Sequence, residues 1–69
     1  MKKAKDIRNG SLYFNIRSGR VERALGKVNS QRMWTKSHQD AAADVQVKDL
    51  RKARKPEVSS YIEESVPVL

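Results

Sequence analysis

The sequence contains no cysteine among its 69 residues. This absence excludes disulfides and zinc or iron–sulfur sites with thiolate ligands. A small domain without cysteine is typical of a reducing compartment, so we expect a cytoplasmic protein. No run of apolar residues approaches the roughly 18 that a membrane-spanning helix needs, and the N-terminal lysines precede polar residues instead of a signal peptide's apolar stretch. We therefore expect no membrane partner.

Groups that could perform catalysis are also scarce. The single histidine, His38, follows Ser37, and neighbours on a strand point to opposite faces, so they cannot form a nucleophile–base pair. His38, Asp40 and Asp44 offer at most three metal ligands in a predicted loop, and we interpret His38 as an exposed side chain without a metal. There is no glycine-rich phosphate loop and no pair of catalytic carboxylates. The sequence predicts no enzyme, no cofactor and no small-molecule substrate.

Acidic residues are outnumbered: the sequence has 8 Asp and Glu and 15 Lys and Arg, which gives a net charge of +7. Such an excess attracts phosphate backbones, anionic lipids or acidic proteins. The charge is also unevenly distributed. We expect a flexible basic arm over residues 1–10, one basic domain over 11–55, and a mobile or loosely docked tail over 56–69 that is acidic and partly apolar.

Alternating apolar and polar residues predict β-strands. Leu12 to Arg17 alternates with period two, which predicts Leu12, Phe14 and Ile16 on a buried face and Tyr13 on the outward face. A second strand is predicted from Arg32 to His38, after a turn at residues 29–31. Val45 and Val47 share one face of a third run, residues 44–48, and the chain then tightens into a single helical turn around Leu50.

Two structures fit the segment from Arg20 to Asn29. Val21, Ala24, Leu25 and Val28 have the spacing of an amphipathic helix. A strand there requires a bulge, which Gly26 would permit. Residues 40–54 could also form a helix on propensity alone, because they include three consecutive alanines. We favour the mostly β interpretation, and the sequence leaves strand or helix open for residues 20–29.

The strand order followed by Val45-Gln46-Val47-Lys48-Asp49-Leu50-Arg51-Lys52-Ala53 resembles the small barrels of the Src-homology-3-like class. Tudor, KOW and retroviral-integrase C-terminal domains are similar barrels. The resemblance implies a mostly β fold, a five-stranded barrel over residues 11–55 with a single 3₁₀ turn near Leu50. It also implies a central hairpin of residues 21–28 and 32–38 and a last strand over 51–55. Barrels of this class bind RNA, DNA or proteins, so the resemblance does not choose a ligand.

The predicted strand from Arg32 places cations and an aromatic side chain on one face. Its members are Arg32, Trp34, Lys36 and His38. Cations neutralise phosphates and an exposed indole stacks on a base, so this face is a candidate nucleic-acid site. Alternatively, Trp34 is the largest core residue of a small domain and its neighbours only flank it. The sequence leaves both interpretations open.

Other basic residues extend this candidate site. The basic cluster at the predicted last strand could form a phosphate track with residues of the first two strands, with Tyr13 as a second aromatic. These candidates are Tyr13, Arg17, Arg20, Arg23, Lys27, Arg51 and Arg54. The alternative is a solvated edge strand that its charges protect from edge-to-edge pairing.

The sequence therefore predicts a non-catalytic binding module for RNA or DNA with weak sequence specificity. The alternative is a protein-interaction adaptor that uses the barrel edge or the apolar tail, with Val58, Tyr61, Ile62 and residues 66–69, and its partner could be a second copy of the chain. A further possibility is that the tail folds back, so that its glutamates screen the basic body.

Overall fold

Five antiparallel strands form one sheet in the computed structural model, which describes residues 3–65. The sheet order is β4-β3-β2-β1-β5. The strands are β1 (Leu12–Asn15), β2 (Arg20–Asn29), β3 (Arg32–Lys36), β4 (Ala43–Gln46) and β5 (Leu50–Lys52). Two 3₁₀ turns, Ala4–Asp6 and Val47–Asp49, and one helix, α1 (Lys55–Ser65), complete the elements. The mostly β interpretation is confirmed.

The sheet is open, so the prediction of a closed barrel is wrong. Strands β4 and β5 lie at opposite edges and do not pair with each other within residues 3–65. The physical reason is that β4 ends at Gln46, where the chain enters the 3₁₀ turn, and the three residues of β5 pair only with β1. The turn is fastened to β1 because the Ile16 N–H donates to the Asp49 carbonyl at 2.8 Å.

The segment with two possible structures is the long strand β2. The register with β3 shifts between Ala24 and Gly26, which is the bulge that a strand required. Ala24 is buried whereas Leu25 and Val28 are exposed, so the helix-like spacing does not mark a single buried face. A two-residue turn at Ser30 and Gln31 connects β2 to β3, which confirms the predicted hairpin.

The predicted facing of β1 is wrong. Tyr13 is only 4% exposed and Asn15 is also buried, whereas Phe14 is half-buried and Ile16 exposed. The polar groups of Tyr13 and Asn15 have partners inside: the Tyr13 hydroxyl accepts the Arg8 N–H at 2.8 Å. Burial of these side chains therefore leaves no unmet hydrogen bond.

The core lies on the face of the sheet that carries Tyr13, which we call the inner face; the opposite side is the outer face. Its buried apolar residues are Ala4, Ile7, Tyr13, Ala24, Met33, Val47 and Leu50. The Ala4 N–H donates to the Ser30 carbonyl at 2.8 Å. Residues 3–7 thus close the core, where the sequence predicted part of a flexible arm.

Buried polar side chains complete the inner face around Glu22. Its carboxylate accepts hydrogen bonds from the Asn15 amide at 3.1 Å and the Thr35 hydroxyl at 2.8 Å. Ser18 donates to the second oxygen at 3.2 Å. No buried side-chain polar atom lacks a hydrogen-bond partner between residues 3 and 65. This satisfied network stabilises the turn between β1 and β2 and fixes its position against β3.

Helix α1 occupies most of the segment for which the sequence predicted a loosely docked tail. Pro56 lies in its first turn, where a missing N–H costs no hydrogen bond. The Glu57 carboxylate accepts the Arg54 N–H at 2.7 Å, half of a capping box. The apolar end of the tail, residues 66–69, lies outside the described residues. In the part of the chain from residue 3 to residue 65, no helix has the length and apolar character required to cross a membrane.

Candidate functional site

The alternation of β3 decides where Trp34 lies. Met33 and Thr35 are buried on the inner face, and Trp34, between them, is 44% exposed on the outer face. Arg32 and Lys36 share the side of Trp34, as the strand pattern predicts. Of the two interpretations of Trp34, the surface position is therefore correct, and Tyr13, Met33, Val47 and Leu50 fill the core without it.

Two cations lie directly opposite each other beside Trp34. Arg23 of β2 is the cross-strand partner of Lys36 of β3. The Arg23 guanidinium donates to the Gly10 carbonyl, and the Lys36 amine donates to the Ser37 carbonyl at 3.0 Å. In the described part of the chain neither forms an ion pair with a carboxylate. Like charges in this arrangement destabilise a sheet, and an anion held between them would remove the repulsion.

Two exposed aliphatic side chains lie in β2, the strand that pairs with the strand of Trp34. Leu25 is 46% and Val28 39% exposed. Across the ladder from Trp34 stands Gly26, which offers no side chain to that flank of the indole. The outer face of β2 and β3 thus presents an exposed aromatic side chain next to two cations that have no carboxylate partner among residues 3–65.

Helix α1 covers the neighbouring part of the outer face and reaches Arg23, whose guanidinium lies 5.5 Å from the centroid of the Tyr61 ring. The rings of His38 and Tyr61 stack with centroids 3.9 Å apart. Arg51 forms a bidentate ion pair with Glu57 at 2.9 and 2.6 Å, and its guanidinium lies 4.3 Å from the Phe14 ring. These contacts hold His38 and Arg51, both candidate nucleic-acid residues, against the helix.

The same ion pair changes the acidity of Glu57. Hydrogen bonds from the Arg51 guanidinium, followed by the Arg54 N–H, hold the pKa of the Glu57 carboxyl below its ordinary value. The hydrogen bond with Glu57 raises the pKa of Arg51 in turn. The helix is thus attached by a pair that is charged at neutral pH.

Ion pairs engage two further candidates. Arg20 lies 3.3 Å from the Asp40 carboxylate, and Arg32 lies 2.7 Å from that of Asp44. Both pairs are partly exposed, so they reduce the positive charge locally without burying it. Arg32 therefore shares the face of Trp34 with its charge already matched.

The remaining candidates are dispersed. Tyr13 is buried on the inner face and cannot stack on a ligand, so its predicted exposure is wrong. Lys27 lies opposite the buried Met33, on the side away from Trp34. Arg17 follows the end of β1, and Arg54 immediately precedes α1; both are exposed. The candidate residues therefore do not form one continuous surface, and the structure brings together only those around Trp34.

A cavity of about 470 Å³ opens on the inner side between the β1–β2 turn and β4. Half of the acidic residues of the sequence line it: Glu22, Asp40, Asp44 and Asp49. These four carboxylates outnumber the two guanidinium groups in the lining, those of Arg17 and Arg32, so the cavity does not suit an anionic ligand. Across residues 3–65, no three His, Cys, Asp or Glu side chains are grouped to hold a metal ion.

Sequence reasoning missed how Arg23 and Gly26 are placed beside Lys36 and Trp34. The sequence does contain a signal for this placement, because the two-residue turn at Ser30 and Gln31 fixes which residues of β2 and β3 pair next to the turn. The bulge at Gly26 was anticipated, but a second register shift between Lys27 and Asn29 was not. Comparison of the chain with protein-family models, with curated proteins and with solved structures gives no significant match.

Proposed function

We propose that the chain is a non-catalytic nucleic-acid-binding protein whose contact surface is the outer face of β2 and β3. The observation that carries this proposal is the cross-strand pair Arg23 and Lys36, which has no carboxylate partner among residues 3–65 and lies beside the exposed Trp34. Phosphates bind between such cations, and contacts to phosphate carry little sequence information. Binding is therefore weakly sequence-specific and strongly dependent on salt.

The test is a salt titration of oligonucleotide affinity with the double variant Arg23→Gln, Lys36→Gln. Each phosphate contact contributes about 0.7 to the slope of log K against log salt for single strands, so the variant lowers the slope by about 1.4. The matched control is Lys48→Gln, Lys52→Gln, which removes the same charge from exposed positions in the 3₁₀ turn and in β5, opposite Tyr13.

The control keeps the wild-type slope if the phosphates lie at Arg23 and Lys36. An equal decrease for both double variants would show a diffuse effect of net charge and would contradict the assignment. Failure of the wild type to bind any oligonucleotide at low salt would overturn the proposed function.

A second candidate function is a protein-interaction adaptor. The exposed aliphatic residues Leu25 and Val28 favour it, because an apolar patch on a small domain often marks a protein contact. A homodimer through this patch is the simplest form. Sedimentation equilibrium of the wild type and of Leu25→Lys tests it: concentration-dependent association that the variant abolishes supports the adaptor, and a monomer at all concentrations contradicts the homodimer.

We also propose that the sheet is an opened relative of the Src-homology-3-like barrel. The strand order and the 3₁₀ turn between β4 and β5 support this proposal. Strand pairings measured by nuclear Overhauser contacts in solution test it, and an order other than β4-β3-β2-β1-β5 would contradict it.

A further inference from the structure

Gly26 occupies the position across the ladder from Trp34 without a structural requirement for glycine. Its backbone φ is not in the left-handed region, unlike those of Gly10 and Gly19. A Cβ atom built on Gly26 meets no atom within 4 Å. Gly26 lies at the register shift with β3, but neither backbone strain nor close packing at that bulge requires the missing side chain.

A glycine in this position costs stability. It weakens a strand, and it forgoes the contact that a β-branched side chain would make with the indole across the ladder. Glycines inside strands often mark places where a ligand approaches the backbone closely. The result here is an open space beside Trp34 and above Gly26.

The chemistry around this space suits a flat, apolar group attached to an anion. The indole offers a flat apolar contact, and Lys36 follows Trp34 by two residues on the same face, about 7 Å along the strand. A nucleobase joined to its phosphate has both properties. Bases in a duplex are stacked on their neighbours, so only an unpaired base can lie on an exposed indole.

We infer that Trp34 and Gly26 form a seat for one unpaired nucleobase, with the adjoining phosphate at Arg23 and Lys36. This inference rests on the proposed function and specifies its ligand: single-stranded nucleic acid in preference to duplex. A protein side chain would also fill the space, but an uncharged one would leave the two cations without an anion.

The test is Gly26→Val, which fills the space and suits a strand. The matched control is Ala43→Val, which adds bulk to an exposed residue of β4 opposite Thr35, on the other side of the sheet. Affinities are measured for a single strand of about 12 nucleotides and for its duplex. Quenching of Trp34, the one tryptophan of the sequence, reports the stacked base.

We expect the wild type to bind the single strand about tenfold more tightly than the duplex, and Gly26→Val to remove that preference together with the quenching. Duplex affinity stays unchanged in Gly26→Val, and Ala43→Val behaves as the wild type. If Gly26→Val fails to fold, as judged by circular dichroism, Gly26→Ala replaces it, with a smaller loss of single-strand affinity in the same direction.

The failure of this inference differs from the failure of the proposed function. Salt-dependent binding with equal affinity for single strand and duplex, unaffected by either Gly26 variant, would overturn the base seat and leave the proposed function in place. If the wild type shows no salt-dependent binding to either oligonucleotide, the proposed function and the base seat are both wrong.

Discussion

The outer face of the sheet has two halves that use the same kinds of side chain differently. Under helix α1, an arginine and a histidine are matched by Glu57 and Tyr61. In the open half, Trp34 is exposed and Lys36 lies opposite Arg23, which stands at the boundary because its guanidinium also lies 5.5 Å from the centroid of the Tyr61 ring of α1. Cations and aromatic rings therefore stabilise the fold in the covered half and are available to a ligand in the open half.

Replacing one aromatic residue in each half gives the largest expected difference. Tyr61→Ala removes the ring that stacks on His38 and that contacts the Arg23 guanidinium at 5.5 Å. We therefore expect the free energy of unfolding to be about 1–2 kcal/mol lower. Trp34→Ala should lower that free energy by less than about 1 kcal/mol while decreasing oligonucleotide affinity at least about tenfold. Urea unfolding and fluorescence anisotropy with a labelled oligonucleotide measure both quantities.

The contrast between the two halves would be contradicted if Tyr61→Ala decreased affinity and Trp34→Ala decreased stability. A Tyr61→Ala protein that is as stable as the wild type but no longer binds would place the ligand contact under the helix instead. Trp34→Phe serves as the control, because it keeps an aromatic face and should retain most of the affinity.

Reversing one charge in the open half has a smaller effect with opposite signs for stability and binding. Lys36→Glu converts the repulsive pair with Arg23 into an attractive one, so we expect the free energy of unfolding to rise by about 0.5 kcal/mol. Oligonucleotide affinity decreases, because the cation beside Trp34 becomes an anion. Lys52→Glu is the control for net charge and should weaken binding less. A destabilised Lys36→Glu protein would show that the contacts of the amine with backbone carbonyls outweigh the repulsion.

Acid pH should slightly lower the stability that the covered half contributes to the fold. The pKa of Glu57 is lowered in the folded state, so the contribution of its ion pair is complete above the ordinary carboxyl value of 4.5 and is lost as the pH falls through the folded pKa. Between pH 5 and pH 2, the melting temperature of the wild type should decrease more than that of Glu57→Gln. Glu63→Gln, a change at an exposed residue of the same helix, should follow the wild type. Parallel curves for all three proteins would contradict this attachment of the helix.

The strands could be predicted from the sequence, because turns and period-two runs are local signals. The facing of β1 could not be predicted, since Phe14 and Tyr13 both find cover: one packs under Arg51 and the other in the core. A strand covered on both sides has no single apolar face for the alternation to reveal. The attachment of the helix to the sheet could not be predicted for a related reason, because it depends on Arg51 and His38, which precede the helix in the chain.

The candidate site could be predicted only in part. The exposure of Trp34 remained open because a small domain can use its tryptophan in either position, and the inner face proved to be filled by Met33, Val47 and a polar network. Two register shifts in β2 then decide the cross-strand partners. With neither shift, Lys27 would face Trp34, and Arg23 would not face Lys36.

The sheet order has a consequence for the way the chain reaches its native state. Strands β2 and β3 meet through a two-residue turn, whereas β5 reaches β1 only after β2, β3 and β4 have intervened in the sequence. Bringing distant segments together costs loop-closure entropy before their contacts contribute, so local hairpins form readily and long-range pairings slowly. The open half of the outer face is thus built from neighbours in the sequence, and the covered half depends on the slow, long-range step.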